Sequence, residues 1–189
     1  METLKSPTAS PGERMRLAQA LADTPHVESK RKEVCRVLQP MVVDVFCRNA
    51  AIQALCAWGN ADDLVALAKG ARGLDFVLRA KLISKLAAGK DARSAEVLVQ
   101  VAVNAFDKMA VQALKNMGHV AEDAVIGGML NHTDSRVRFE ACGILGVVGG
   151  EKSFAALNRL LRIERAFQTR EATMSAPRQL RSRWAWRSA

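Results

Sequence analysis

Tyrosine is absent from this sequence, and six Phe and three Trp leave aromatic residues at 5% of its 189 positions. Sheets draw their stability from aromatic and β-branched side chains, so this scarcity argues against a β-sandwich or a barrel. No run of about 18 apolar residues is present to form a transmembrane helix, and the leading METLKSPTASPGERM lacks the apolar stretch of a secretion signal. The expectation is a cytoplasmic protein. The four cysteines, Cys35, Cys47, Cys56 and Cys142, include no CxxC pair and fall within apolar helical patterns, where a free thiol behaves as a small hydrophobe. Chemistry-bearing motifs are scarce too. His26, His119 and His132 are scattered, without HExxH or a paired Cys/His spacing, so no metal site is expected. There is no GxSxG elbow, and no glycine-rich phosphate loop followed by Lys and Ser or Thr. Gly127-Gly128 and Gly149-Gly150 stand outside any strand-to-helix context. These absences point away from an enzyme, with no catalytic residues and no cofactor expected.

Hydrophobic residues make up 49% and charged residues 25%, as in a soluble globular chain long enough to bury a core. The formal charge is +9, and its distribution is uneven. Residues 159 to 189 hold eight Arg against Glu164 and Glu171, a surplus of +6, while the first 158 residues carry only +3. A surface devoted to nucleic acid would spread its cations more widely than this.

Internal repetition organises the middle of the chain. Four blocks align, at residues 44–70, 75–102, 106–130 and 134–161, each reading as an apolar helix, a turn and a second apolar helix. Anchored on Leu55, Leu86, Leu114 and Leu145, the spacings are 31, 28 and 31 residues. Eight positions before the anchors stand Cys47, Leu78, Phe106 and Val137; four before stand Ala51, Leu82, Ala110 and Ala141; three before stand Ile52, Ile83, Val111 and Cys142. Residues at these offsets share one face of a helix. Twelve positions after them, Leu67, Leu98, Ile126 and Leu157 anchor the second helices. Gly59, Gly118 and Gly149 follow the anchors by four and are placed to end the first helices with positive φ. In the second block Gly89 falls one residue early and Lys90 takes the aligned place, which predicts a slipped turn.

DSRVRFEACGILGVVGGEKSFAALNRLL, residues 134–161, resembles the short HEAT-like repeat named from phycobilisome lyases, which reads roughly D-x-x-V-R-x-x-A-a-x-A-L-G-x-L-G before a Leu-rich second helix. The resemblance spans residues 44–161. It implies an all-α, right-handed α-solenoid of about four HEAT-like helix pairs. Around it, residues 1–13 read as a flexible leader, 14–43 as N-terminal capping helices, 44–173 as the array and 174–189 as a mobile basic tail. The resemblance also implies an Asp–Arg ladder, carried here by Asp44 with Arg48, Asp75 with Arg79, and Asp134 with Arg138. Asp107 in place of the third arginine interrupts it.

Function is expected on the concave face that second helices line in such arrays. There Val65, Lys69, Glu96, Gln100, Ala124, Gly128, Ala155 and Arg159 fall two residues either side of the anchors, with Arg162 beyond. The row is mixed and weakly charged in its middle, which suits a protein or peptide. Trp58 occupies a core column. Asp62, Asp63, Glu122 and Asp123 begin second helices, where the helix dipole favours acidic side chains. In the tail, Arg178, Arg181, Arg183 and Arg187 interleave with Trp184 and Trp186, a combination suited to weak, non-specific contact with nucleic acid or an anionic membrane. The expected function is therefore a non-catalytic protein-binding scaffold. The alternatives that the resemblance implies are a nucleic-acid-binding solenoid like the DNA glycosylases, or an enzyme like the bilin lyases.

Overall fold

The computed structural model describes residues 10–24, 26–70, 73–105 and 107–185; of these, the side chains of Gly70 and residues 183–185 are not described. Those residues form an all-α protein with ten helices of ten residues or more and no strand. They are α1 (Pro11–Asp23), α2 (Glu28–Leu38), α3 (Arg48–Trp58), α4 (Ala61–Gly70), α5 (Phe76–Ala88), α6 (Ala92–Ala105), α7 (Lys108–Met117), α9 (Ser135–Val148), α10 (Glu151–Ile163) and α11 (Phe167–Ala185). The short α8 (Glu122–Val125) runs straight into a π-helical turn, Ile126–Leu130. The chain divides into two compact units, one ending at Lys85 and the other beginning at Leu86, a boundary inside α5.

Each expected block appears as two successive helices: α3 and α4, α5 and α6, α7 and α8, α9 and α10. The anchors Leu55, Leu86, Leu114 and Leu145 are all buried, as are Ala51, Leu82, Ala110 and Ala141 four residues before them. Phe106, expected in the column eight before the anchors, lies outside the described residues.

In the first unit α1 and α2 pack on α3. Trp58 is buried against α1 and donates its indole N–H to the carbonyl of Leu21 at 2.7 Å. The leader is shorter than expected. Ser10 caps α1 by accepting from the Glu13 N–H, Glu13 accepts from the Ser10 N–H in return, and Pro11 takes the first helical position, so the helix begins three residues before Arg14. Asn60 and Asp63 make the same reciprocal cap on α4, and Asp63 also receives the Arg31 guanidinium at 3.0 Å.

In the second unit α9 packs on α7 and on α11, α6 packs on α7 and on the π-turn, and α10 packs on α11. Two features depart from expectation. Ile126, the expected third anchor of the second helices, is only half-buried, because the chain widens there into the π-turn and buries Val125, Met129 and Leu130 instead. Residues 174–185, expected within a mobile tail, are helical: α11 runs through Pro177 to Ala185, with Ala176, Pro177 and Leu180 buried, and the last four positions of the expected tail lie outside the described residues. A proline inside a helix costs about 3 kcal/mol. Packing along α9 opposes that cost: at Gly146 an added Cβ would run into the Gln179 Oε1 of α11 and lie in van der Waals contact with Ala176.

The turn glycines act differently from one another. Gly118 has φ +70, as expected, but Gly59 and Gly149 both have φ −69. Their role is spatial, since a Cβ would fall 2.7 Å from the Leu55 carbonyl oxygen at Gly59 and 2.5 Å from that of Leu145 at Gly149. In the slipped turn, Lys90 carries φ 46.

Candidate functional site

Of the residues expected to line a concave face, Lys69 on α4 in the first unit and Glu96, Gln100, Ala155, Arg159 and Arg162 on α6 and α10 in the second are exposed, as is Gly128 in the π-turn. Ala124, however, is half-buried, and Val65 is buried in the core, turned inward with its helix's apolar face. Of the basic-tail residues, Arg178 and Arg181 are exposed on α11, with Arg181 lying 5.0 Å over the Phe154 ring. The side chains of Arg183 and Trp184, and Trp186 and Arg187 entirely, lie outside the described residues.

Two aspartates of the expected ladder, Asp75 and Asp134, cap helix starts, whereas Asp44 closes the turn that precedes α3. Asp44 accepts from the Phe46 N–H at 2.9 Å, Asp75 from Leu78 at 2.8 Å and Asp134 from Arg136 at 2.8 Å. Asp107 does the same for α7, accepting from Met109 and Ala110, so the third block keeps a capping aspartate. The Asp134–Arg138 rung does not form as an ion pair. Asp134 binds Arg136 at 2.8 Å, and Arg138 turns to Glu164 in a bidentate pair at 2.6 and 2.9 Å. The reason is geometric: the fork of Arg138 also reaches the carbonyls of His132 and Thr133, both at 2.8 Å, and ties the loop before α9 to the link before α11. Glu164 is buried. The Arg138 guanidinium lowers its pKa to about 2, against the opposing effect of burial, with help from the N–H groups of Ala166 and Arg165.

This clamp sets one wall of a groove of about 480 Å³ in the second unit. Its apolar lining comes from Ala102 on α6, Val111 on α7, Met129 of the π-turn and Val137 on α9. Its wall from α11 begins with Ala166 and Phe167, directly after the clamped Glu164. Phe139 and Phe167 line it while remaining exposed, at 43% and 72%. Lys108, Arg136, Glu140 and Gln168 supply the polar lining, with Lys108 paired to Glu140. An apolar groove of this size with a few placed polar groups is the usual form of a site that takes an apolar side chain or a small ligand.

The remaining ionisable groups do structural work. Glu122 accepts from the N–H of Gly150 at 2.8 Å, the N–H of Ser153 at 2.9 Å and the Ser153 hydroxyl at 2.7 Å, so it caps α10 rather than its own helix. Burial would raise its pKa, but these hydrogen bonds outweigh it and hold the carboxyl below its ordinary value. All four cysteines are free and buried, and burial pushes the thiols of Cys35 and Cys56 up to about 11, where they stay protonated at neutral pH. Among the described residues no group of three His, Cys, Asp or Glu is placed to hold a metal ion, and no helix is long and apolar enough to cross a membrane.

No protein-family model matches the chain, and comparison with curated proteins returns no match. The groove was not anticipated from the sequence, although a signal for it exists. Phe46, Phe76, Phe139 and Phe167 fall near helix starts at intervals close to the repeat length or a multiple of it.

Proposed function

We propose that the protein is a non-catalytic protein-binding scaffold, a right-handed solenoid of HEAT-like helix pairs that docks its partner in the groove between α7, α9 and α11. The observation that carries this reading is the pair Phe139 and Phe167, exposed on the walls of a groove that combines aliphatic residues, Ala102, Val111, Met129 and Val137, with polar ones such as Lys108, Arg136 and Glu140. Single exposed apolar residues are common on any surface, but two exposed aromatic rings on the walls of one groove mark a candidate interaction site, and aromatic anchors seated beside a pocket are frequent hot spots of protein interfaces. Most of the site comes from the first helices α7 and α9 and the start of α11, and its lining does not include Glu96, Gln100 or Arg159 of the second-helix row. The successive packing of first helices, α7 on α9 and α9 on α11, supports a stacked array.

The test is a selection of groove binders from a displayed peptide library on the full chain, followed by titration of the enriched peptides against Phe139→Ser and Phe167→Ser. Each variant should retain wild-type helicity by circular dichroism and lose about tenfold or more in affinity. Failure of the library to yield any binder sensitive to these substitutions would refute the scaffold reading at this site.

A further inference from the structure

The groove bears a marked asymmetry of charge exposure. Lys108 and Arg136 reach solvent with 77% and 74% of their side chains exposed, whereas their partners Glu140 and Asp134 are drawn in, at 21% and 28%. Each ion pair is neutral in sum, but it presents its cation outward and keeps its carboxylate against the protein. Arg165 and Arg170, both exposed, bracket the wall residues 166–169 in sequence with no carboxylate between them, and Glu164, just before Arg165, is buried under Arg138. The field over an apolar slot is therefore positive on more than one side. In the same hairpin Arg159, Arg162, Arg178 and Arg181 are exposed and Glu171 is the one exposed acid among described residues 159–182.

From this we infer that the partner segment is an acidic amphipathic peptide, seating an aromatic or aliphatic anchor between Phe139 and Phe167 and laying Asp or Glu side chains beside Lys108 and Arg136. The inference rests on the scaffold reading and narrows it. Charge complementarity selects the sign of the flanks, and the slot requires an apolar centre. A polyanion such as duplex DNA would satisfy the cations and leave Phe139, Phe167 and the aliphatic lining uncovered, so the observations favour the peptide. Rim cations act mainly on association rate and salt dependence, while the anchor governs dissociation.

The experiment uses the full chain and fluorescence anisotropy with labelled probes: a peptide with a Phe-Leu centre between glutamate flanks, the same centre between lysine flanks, a glutamate peptide with a serine centre, and a short DNA duplex. The expected result is binding of the first peptide alone, weakened about tenfold or more by Phe167→Ser and weakened several-fold both by added salt and by the double substitution Lys108→Ala with Arg136→Ala. Circular dichroism should show unchanged helicity in both variants, since the altered side chains are largely exposed. Equal binding of the lysine-flanked peptide would overturn the acidic assignment while leaving the scaffold reading intact. Equal binding of the serine-centred peptide, or duplex binding indifferent to Phe167→Ser, would overturn it in favour of a polyanion surface. Failure of every probe, while library selection still yields groove binders, would overturn this inference alone.

Discussion

Replacing Arg138 with methionine tests the clamp that positions the groove wall. The substitution keeps most of the aliphatic volume and removes the fork that binds Glu164 at 2.6 and 2.9 Å and the carbonyls of His132 and Thr133 at 2.8 Å. Glu164, whose side chain is 1% exposed, is left as a buried carboxylate without a counter-ion. Removing one partner of a buried pair costs about 3–5 kcal/mol, and the retained N–H groups of Arg165 and Ala166 place this case near the lower end. The pH dependence follows from the same contact. Glu164 titrates at about 2 in the folded protein and at about 4.3 unfolded. Because the folded value is depressed, the ionised carboxylate contributes about 3 kcal/mol at neutral pH, roughly half of it remaining at about pH 3. Stability from this pair is thus present above the unfolded pKa and lost as pH falls toward the folded one. Urea unfolding of wild type and Arg138→Met at neutral and acid pH should show a difference that is largest at neutral pH and shrinks on acidification. A difference below about 1 kcal/mol at neutral pH, or one that grows on acidification, would refute the reasoning.

Glu122→Ala should destabilise the protein by about 1–2 kcal/mol in urea titration, because α10 has no side chain at its own N-cap and loses all three hydrogen bonds to Glu122. Gly128→Ala should lower the thermal midpoint, at a cost of about 1–3 kcal/mol, because the new Cβ would lie 2.5 Å from Val99 Cγ1. Adding Val99→Ala should restore part of that loss. Truncation at residue 173 should destabilise the second unit by at least about 2 kcal/mol, since it removes fully buried Leu180 with Ala176 from α9. A truncated chain that melts like wild type would mean that α11 contributes nothing beyond its first turns.

The helices themselves were legible in the sequence because their apolar columns obey one period. Leu55, Leu86, Leu114 and Leu145 stand in equivalent local surroundings, and each is buried. What escaped were features that depend on a second element. Nothing local distinguishes Arg138 from Arg48 as a partner for aspartate; its choice of Glu164 is set by a carboxylate 26 residues away. Glu122 looked like a dipole residue of its own short helix, and only the packing of α10 against it reveals a cap for a neighbour. Residues 174–185 read as a tail because Pro177 and clustered arginines mark a helix end, and the stripe Thr169, Thr173, Ala176 and Leu180 acquires meaning only beside α9.

The groove went unread for a different reason. Repeat registers are found by aligning positions that packing holds constant, so the search is drawn to buried columns and passes over positions whose residue type recurs without being buried. Phe46 and Phe76 are exposed in the first unit, as Phe139 and Phe167 are in the second, and these positions are spaced at roughly the repeat length or a multiple of it. Burial explains the leucine columns completely. It does not explain a large aromatic kept in water near the start of one helix after another, because core packing places no demand on a side chain that faces outward. The proposed recognition residue is therefore phenylalanine near the first-helix starts rather than the charged row on the second helices, and titration of groove binders against Phe139→Ser and Phe167→Ser decides between the two.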